Sequence, residues 1–172
     1  MVLIIGKVAR GILVGYYRLR LAHAGRRLRI GLGTTILNPS VVAIGDDVYL
    51  GPGAYITSPS GIYIGNRAMF GPQVMLVGGD HDLFNTEVPL RFAPAPPKPP
   101  PIVIEDDAWI GARTTILKAV RIGRGAVIGA CSVVTRDIPP WSIAAGNPCR
   151  VLRERAPLPW AERVSIARWQ ER

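Results

Sequence analysis

The chain has 172 residues, 48% hydrophobic and 19% charged, with a formal net charge of +9. This length suits one domain and the composition excludes a disordered chain, while two cysteines, Cys131 and Cys149, in no metal-ligand or framework spacing exclude a disulfide scaffold and point to a reducing cytoplasm. Nineteen glycines and sixteen prolines exceed average usage without forming low-complexity sequence, so they punctuate something regular.

Residues 1–29 form a basic amphipathic segment. It holds Lys7, Arg10, Arg18, Arg20, Arg26, Arg27 and Arg29 and no acid, together with Ile12, Leu13, Tyr16, Tyr17, Leu19 and Leu21. The apolar stretch Val2 to Ile5 is broken at Lys7 and Arg10 and makes no secretory leader, and the run Gly11 to Tyr17 is too short to span a bilayer. The plainer reading is a terminal helix that caps the core and shows its arginines to water. The alternative is a segment that lies on an anionic membrane surface, the inner face of the cell membrane, or against an acidic partner. No nucleic-acid motif accompanies the charge, so nucleic acid is not an expected partner.

From residue 44 an apolar residue returns every sixth position: Ile44, Leu50 and Ile56; after a two-residue slip Ile64, Phe70 and Leu76; and after a longer interruption Ile104, Ile110, Ile116, Ile122, Ile128 and Val134. Glycine often follows it, as at Gly45, Gly51, Gly65, Gly71, Gly111, Gly123 and Gly129. A helical period cannot put every sixth residue on one face, and strand alternation does not demand the glycines. Six residues make one short strand and one corner. Three such units close an eighteen-residue coil of a triangular prism, an all-β parallel β-helix with a column of Ile and Leu inside. Ile30, Ile36 and Val42 suggest a less regular first coil, so the prism is expected over residues 30–153, with short helices at the termini and a helical tail at 154–172.

Leu76 and Ile104 are 28 apart instead of six, so the chain leaves the prism there as a loop of about 80–101, stiffened by prolines at its return. His81 stands at its root.

The stretch IEDDAWIGARTTILKAVRIGRGAVIGACSVVTRDIPPWSIAAGNPCRVLR, with the repeat before it, resembles the left-handed β-helix hexapeptide acyltransferases, and within them the maltose, galactoside and nodulation O-acetyltransferases. The left hand comes from the resemblance, since general rules for β crossovers favour the right hand. The resemblance implies a homotrimer with active sites in the clefts between neighbours, acetyl-CoA as co-substrate, no metal, and a sugar or other small hydroxyl compound as acceptor. Transfer to an amino sugar nitrogen and a non-catalytic scaffold are the alternatives. The zinc enzymes of the same fold, γ-type carbonic anhydrases, need three histidines; His23 and His81 are the only two here.

By position His81 matches the family's catalytic histidine, and imidazole suits the task of taking a proton from the attacking hydroxyl. Asp80 and Asp82 either orient it or stay solvated, and Asn85 and Glu87 suit hydrogen bonds to an acceptor. Trp109, at an outward corner, matches a tryptophan that lines the site. For acetyl-CoA, Ala112 and Ala130 offer backbone contacts, Thr135 and Arg136 match the family's Thr-Lys pair, and Arg150 and Arg153 match its closing cations. Cys131 replaces a common glycine and reads as a small filler. The front of the chain departs from the sugar acetyltransferases: the basic stretch stands where they carry a helical segment, and Ala54 falls about where the galactoside enzyme has a substrate-contacting asparagine.

Overall fold

A computed structural model describes residues 2–94 and 96–155. The chain opens with helix α1 (Val2–Arg18) and then winds as five coils of three short strands. The first coil is β1 (His23–Ala24), β2 (Arg29–Ile30) and β3 (Thr35–Ile36); the second is β4 (Val42–Ile44), β5 (Tyr49–Leu50) and β6 (Tyr55–Thr57). The third is β7 (Ile62–Ile64), β8 (Met69–Phe70) and β9 (Met75–Val77); the fourth is β10 (Ile102–Ile104), β11 (Trp109–Ile110) and β12 (Thr115–Leu117). The fifth is β13 (Arg121–Ile122), β14 (Val127–Ile128) and β15 (Val133–Val134), and β16 (Ser142–Ala145) and β17 (Arg150–Glu154) close the end. Equivalent strands stack into three walls. The first wall runs β1-β4-β7-β10-β13, the second β2-β5-β8-β11-β14-β16-β17 and the third β3-β6-β9-β12-β15. All pairs are parallel except β16 with β17.

Successive side chains point to opposite faces, so a two-residue strand has one inward residue and the three-residue strands β4, β7 and β10 of the first wall have two. The inward column of the third wall is Ile36, Ile56, Leu76, Ile116 and Val134, in direct register. Ile44, Leu50, Phe70 and Ile110 in the other walls are likewise fully buried. The hexapeptide pattern is thus the core itself.

The start of the prism differs from the expected one. The prism starts at His23, inside the segment expected to precede it, because His23 and Ala24 already pair with Ala43 and Ile44. Val42 belongs to the second coil with Ile44, buried two residues before it in register with Ile62. The first coils are also longer than eighteen residues: Ala24 stacks on Ile44 and Ile44 on Ile64, twenty apart, whereas Ile104 stacks on Ile122, eighteen apart. The extra residues all fall at one corner, between the third wall and the first. Ile36 to Ile44 and Ile56 to Ile64 are eight apart there, and Leu76 to Ile104 is the same corner with the long loop in it. The tail expected as helical lies outside the described residues beyond 155.

The helix α1 closes the open end of the first coil. Leu13, Val14 and Leu21 pack on the core, and Tyr17 is buried. The Tyr17 hydroxyl accepts the Ile36 N–H at 3.0 Å and lies 3.3 Å from the Thr34 carbonyl, to which it donates. The first coil has no earlier coil to satisfy its backbone, and the phenol stands in for one. Replacing Tyr17 by Phe keeps the ring and strands a buried amide, so we expect a loss of about 1–3 kcal/mol. Urea unfolding should show a lower midpoint at unchanged slope; an unchanged midpoint would mean that water replaces the hydroxyl.

Candidate functional site

The long loop begins where β9 ends. Gly78 is glycine because an added Cβ would lie 2.2 Å from Ser58 Oγ, so the chain exits tight against the coil above. Two residues on, Asp80 makes two contacts: one carboxylate oxygen accepts the N–H of His81 at 2.9 Å, and the other pairs with Lys118 Nζ. Lys118 follows β12 at the position that Gly78 holds after β9, since Leu117 registers with Val77. A cation of the fourth coil therefore fixes the carboxylate that fixes the backbone of His81. Among the described residues nothing hydrogen-bonds the imidazole, which is exposed.

The loop is held by its own turns. Asp82 Oδ1 accepts the Phe84 N–H and Asn85 Oδ1 the Glu87 N–H, each at 3.1 Å, Asx turns in which the side chain replaces a backbone acceptor. Asp82 therefore shapes the loop and is not solvated at random, and neither aspartate touches the imidazole. Phe84 and Phe92 stand exposed on the loop, and a shallow open pocket is lined by Asp82, Phe84, Asn85, Thr86 and Glu87. Asn85 and Glu87 thus share a surface with Phe84, which the sequence reading did not single out.

The remaining candidates fall on two edges of the prism. Ile116 registers with Val134, so Thr135 and Arg136 take the places of Leu117 and Lys118 one coil on, which puts Arg136 on the His81 corner. Ala112 and Ala130 lie instead at the corner between the second and third walls. Their N–H groups donate to nothing among the described residues, while the Ala112 carbonyl accepts the Cys131 N–H at 2.8 Å. Arg150 pairs with Ala145 and Arg153 with Ile143 on the last strand of the second wall, near Ala130 and exposed. Trp109 is on the outward face of β11 in the second wall, not at a corner, and 48% exposed. One protomer does not bring Trp109, Ala112 or Ala130 to His81.

Cys131 is exposed at a corner with φ 59°, the left-handed conformation that glycine adopts freely, so it fills no core space and the filler reading is corrected. Cys149 is the buried thiol, its pKa pushed up by burial. Among the described residues no three His, Cys, Asp or Glu gather as a metal would need.

Lys118 was missed because a lone lysine after an apolar repeat residue reads as a surface charge. Counting the repeat from Leu76 to Ile116 would have placed it under the loop root.

Two family models match, the bacterial transferase hexapeptide of six repeats over residues 101–136 and the hexapeptide repeat of succinyl-transferase over 41–71. Among solved structures, a hexapeptide-repeat containing acetyltransferase from Vibrio cholerae superposes with a TM-score of 0.79 at 28% identity, over 86% of this chain and 82% of that one. The form of that protein complexed with acetyl coenzyme A aligns at 30% identity over 82% of this chain and 75% of its own, with a TM-score of 0.75. A maltose O-acetyltransferase from Clostridium difficile 630 gives a TM-score of 0.75 at 28% identity, over 82% and 73% of the two chains. By sequence, a 2,3,4,5-tetrahydropyridine-2,6-dicarboxylate N-acetyltransferase of Staphylococcus aureus is 47% identical over 58 residues, 34% of this chain. The chain spans about a quarter of the length of the curated relatives it matches, 24% of that enzyme. Repeat and walls agree with these likenesses, and the chain belongs to the hexapeptide-repeat acetyltransferases, with their left-handed parallel β-helix.

Proposed function

We propose that the protein transfers the acetyl group of acetyl-CoA to a hydroxyl of a sugar or saccharide, with His81 as general base, in the cytoplasm. The observation that carries this reading is the loop root: the backbone of His81 is pinned through Asp80 to Lys118, while its imidazole is left without a protein partner among the described residues. A base must be positioned and still have a free ring nitrogen for the acceptor.

The chain's residues fit acetyl-CoA. The unengaged N–H groups of Ala112 and Ala130 suit the amide carbonyls of a pantetheine arm, and the exposed guanidinium groups of Arg136, Arg150 and Arg153 suit phosphates. His81 takes the proton of the acceptor hydroxyl as its oxygen attacks the thioester carbonyl. The tetrahedral intermediate collapses, the C–S bond breaks, and the imidazolium returns the proton to the departing thiolate. No bond to the enzyme forms. Asp82 and Asn85 hold the loop wall against which the acceptor lies, with Glu87 as a hydrogen-bonding edge and Phe84 as an apolar platform.

A second reading is N-acetylation, with an amino sugar as acceptor; transfer to nitrogen is favoured by the stretch shared with the N-acetyltransferase of Staphylococcus aureus, and base and donor edge would be the same.

The donor residues lie on two edges, and a closed cleft needs an edge from each of two copies. A homotrimer with its prisms side by side supplies that pairing three times, with the loop against the neighbour. Light scattering at micromolar concentration should return the trimer mass, and a monomer would sink the shared-site model.

Removing a positioned base costs about 10²- to 10⁴-fold in rate, so His81→Ala should lose acetyl transfer to that degree while acetyl-CoA affinity and assembly stay the same. Thiol release with an acceptor found by screening reads the rate. Near-parental turnover would remove His81 from the chemistry. His23→Ala, in the first coil, is the control and should be nearly silent.

Lys118 is a positioning residue on this reading. Lys118→Ala should lower kcat by about 10- to 100-fold with little change in the KM for acetyl-CoA, and Lys118→Arg should restore most of it. A raised KM for acetyl-CoA at unchanged kcat would instead make Lys118 a donor-binding cation.

A further inference from the structure

The helix α1 has two apolar faces, and the prism uses one. Leu13, Val14, Tyr17 and Leu21 close the first coil. Val8, Ile12 and Tyr16, spaced four apart on the helix, and Leu19 in the turn that follows it form a second stripe turned away from the first coil. That stripe is in water: Ile12 is 69% exposed and Leu19 89%.

The charge around it is of one sign. Of the cations in residues 1–29, Arg26 and Arg27 are committed to Asp46 and Asp47 and do not count. The sequence of the helix and its following turn carries Lys7, Arg10, Arg18 and Arg20 with no acid; Arg10 shares the side of Leu13 and Tyr17, Arg18 donates to the Gly25 carbonyl at 3.0 Å, and the sequence ahead of the stripe, Val2 to Ile5, is apolar. The Arg20 guanidinium lies 4.4 Å from the Tyr16 ring centre, and an aromatic ring bearing a cation suits the boundary between acyl chains and headgroups. Among the described residues no helix is long and apolar enough to cross a membrane.

We infer that α1 is an in-plane anchor that docks the protein on a bilayer containing anionic lipids, with Val8, Ile12, Tyr16 and Leu19 entering the acyl boundary and the flanking cations meeting the headgroups. The inward stripe and the Tyr17 hydrogen bonds hold the helix rigidly on the prism, so the outward face is presented without a folding cost at binding. An acidic protein partner would be chosen by a groove or by paired donors and acceptors; a narrow aliphatic stripe between cations has neither and matches a lipid surface. The inference is independent of the reaction proposed above.

The test is co-sedimentation of the full chain with phosphatidylcholine vesicles, with and without added phosphatidylglycerol. Binding is expected only to the vesicles containing phosphatidylglycerol, weaker at high salt. The double variant Ile12→Asp with Leu19→Asp should partition at least about 10-fold less, with the melting transition unchanged because both positions are exposed. Should that variant melt early, Arg20→Glu serves in its place and should likewise weaken binding to the anionic vesicles. Absence of binding to both vesicle types, equal binding to both, or a stably folded variant that binds like the parent overturns the inference.

Discussion

Every coil must sit in register on the one before it, and the rest of the molecule follows from that constraint. Along the third wall, Thr35 donates to Ala54, Tyr55 to Val74, Met75 to Thr114 and Thr115 to Ser132, at 2.8 to 2.9 Å. A shift of one residue in any coil would turn its inward isoleucine outward and break the column on both sides. The exposed backbone of a short strand finds partners only in neighbouring coils, which is why coils of two- and three-residue strands are stable together and would not be alone.

The three corners answer this constraint differently. Between the first and second walls, Arg26, Asp46 and Asn66 each donate a backbone N–H to the side chain of the equivalent residue in the next coil, Asp46, Asn66 and Asp106, at 2.7 to 2.8 Å. Beside them Arg27, Asp47, Arg67 and Asp107 share the left-handed conformation and pair by charge, Arg27 with Asp47 and Arg67 with Asp107. Hydrogen bonds from Arg26 and Arg27 hold the Asp46 and Asp47 carboxyls below the usual range, and the bond to Asp107 pushes Arg67 up. An insertion there would break a ladder. Between the second and third walls the backbones approach so closely that a Cβ on Gly51 or Gly111 would meet the next coil at 2.3 and 2.5 Å. The third corner has no side-chain ladder running through the early coils, its close approach being that of Gly78 to Ser58, and it takes all the extra residues, two in each of the first coils and then the loop that carries His81.

That placement explains the character of the site. A loop leaving a rigid edge is positioned at its root and variable beyond it, which suits fixed transfer chemistry joined to an adjustable acceptor surface. The root is tied by Asp80 to Lys118 across coils, whereas the outer loop is shaped by the local turns of Asp82 and Asn85. The candidate donor residues belong to the regular part, the corner backbone at Ala112 and Ala130 and the final strands, so on the proposed reading donor and acceptor surfaces can change separately.

The prism and its long excursion were legible in the amino-acid order, because a six-residue period written in Ile44, Leu50, Ile56 and their successors is a local property that only one kind of stacking satisfies. His81 was legible for the same reason: it stands a fixed number of residues past the last repeat position before the break. Relations between coils were not legible in this way. The start of the prism at His23, the twenty-residue rise of the early coils and the capping of Ile36 by Tyr17 depend on which backbone groups lack a neighbour, and a single repeat carries no record of that. The exposure of Cys131, the place of Trp109 on a wall and the pairing of Asp80 with Lys118 likewise arise from register over eighteen to forty residues, beyond the reach of local pattern.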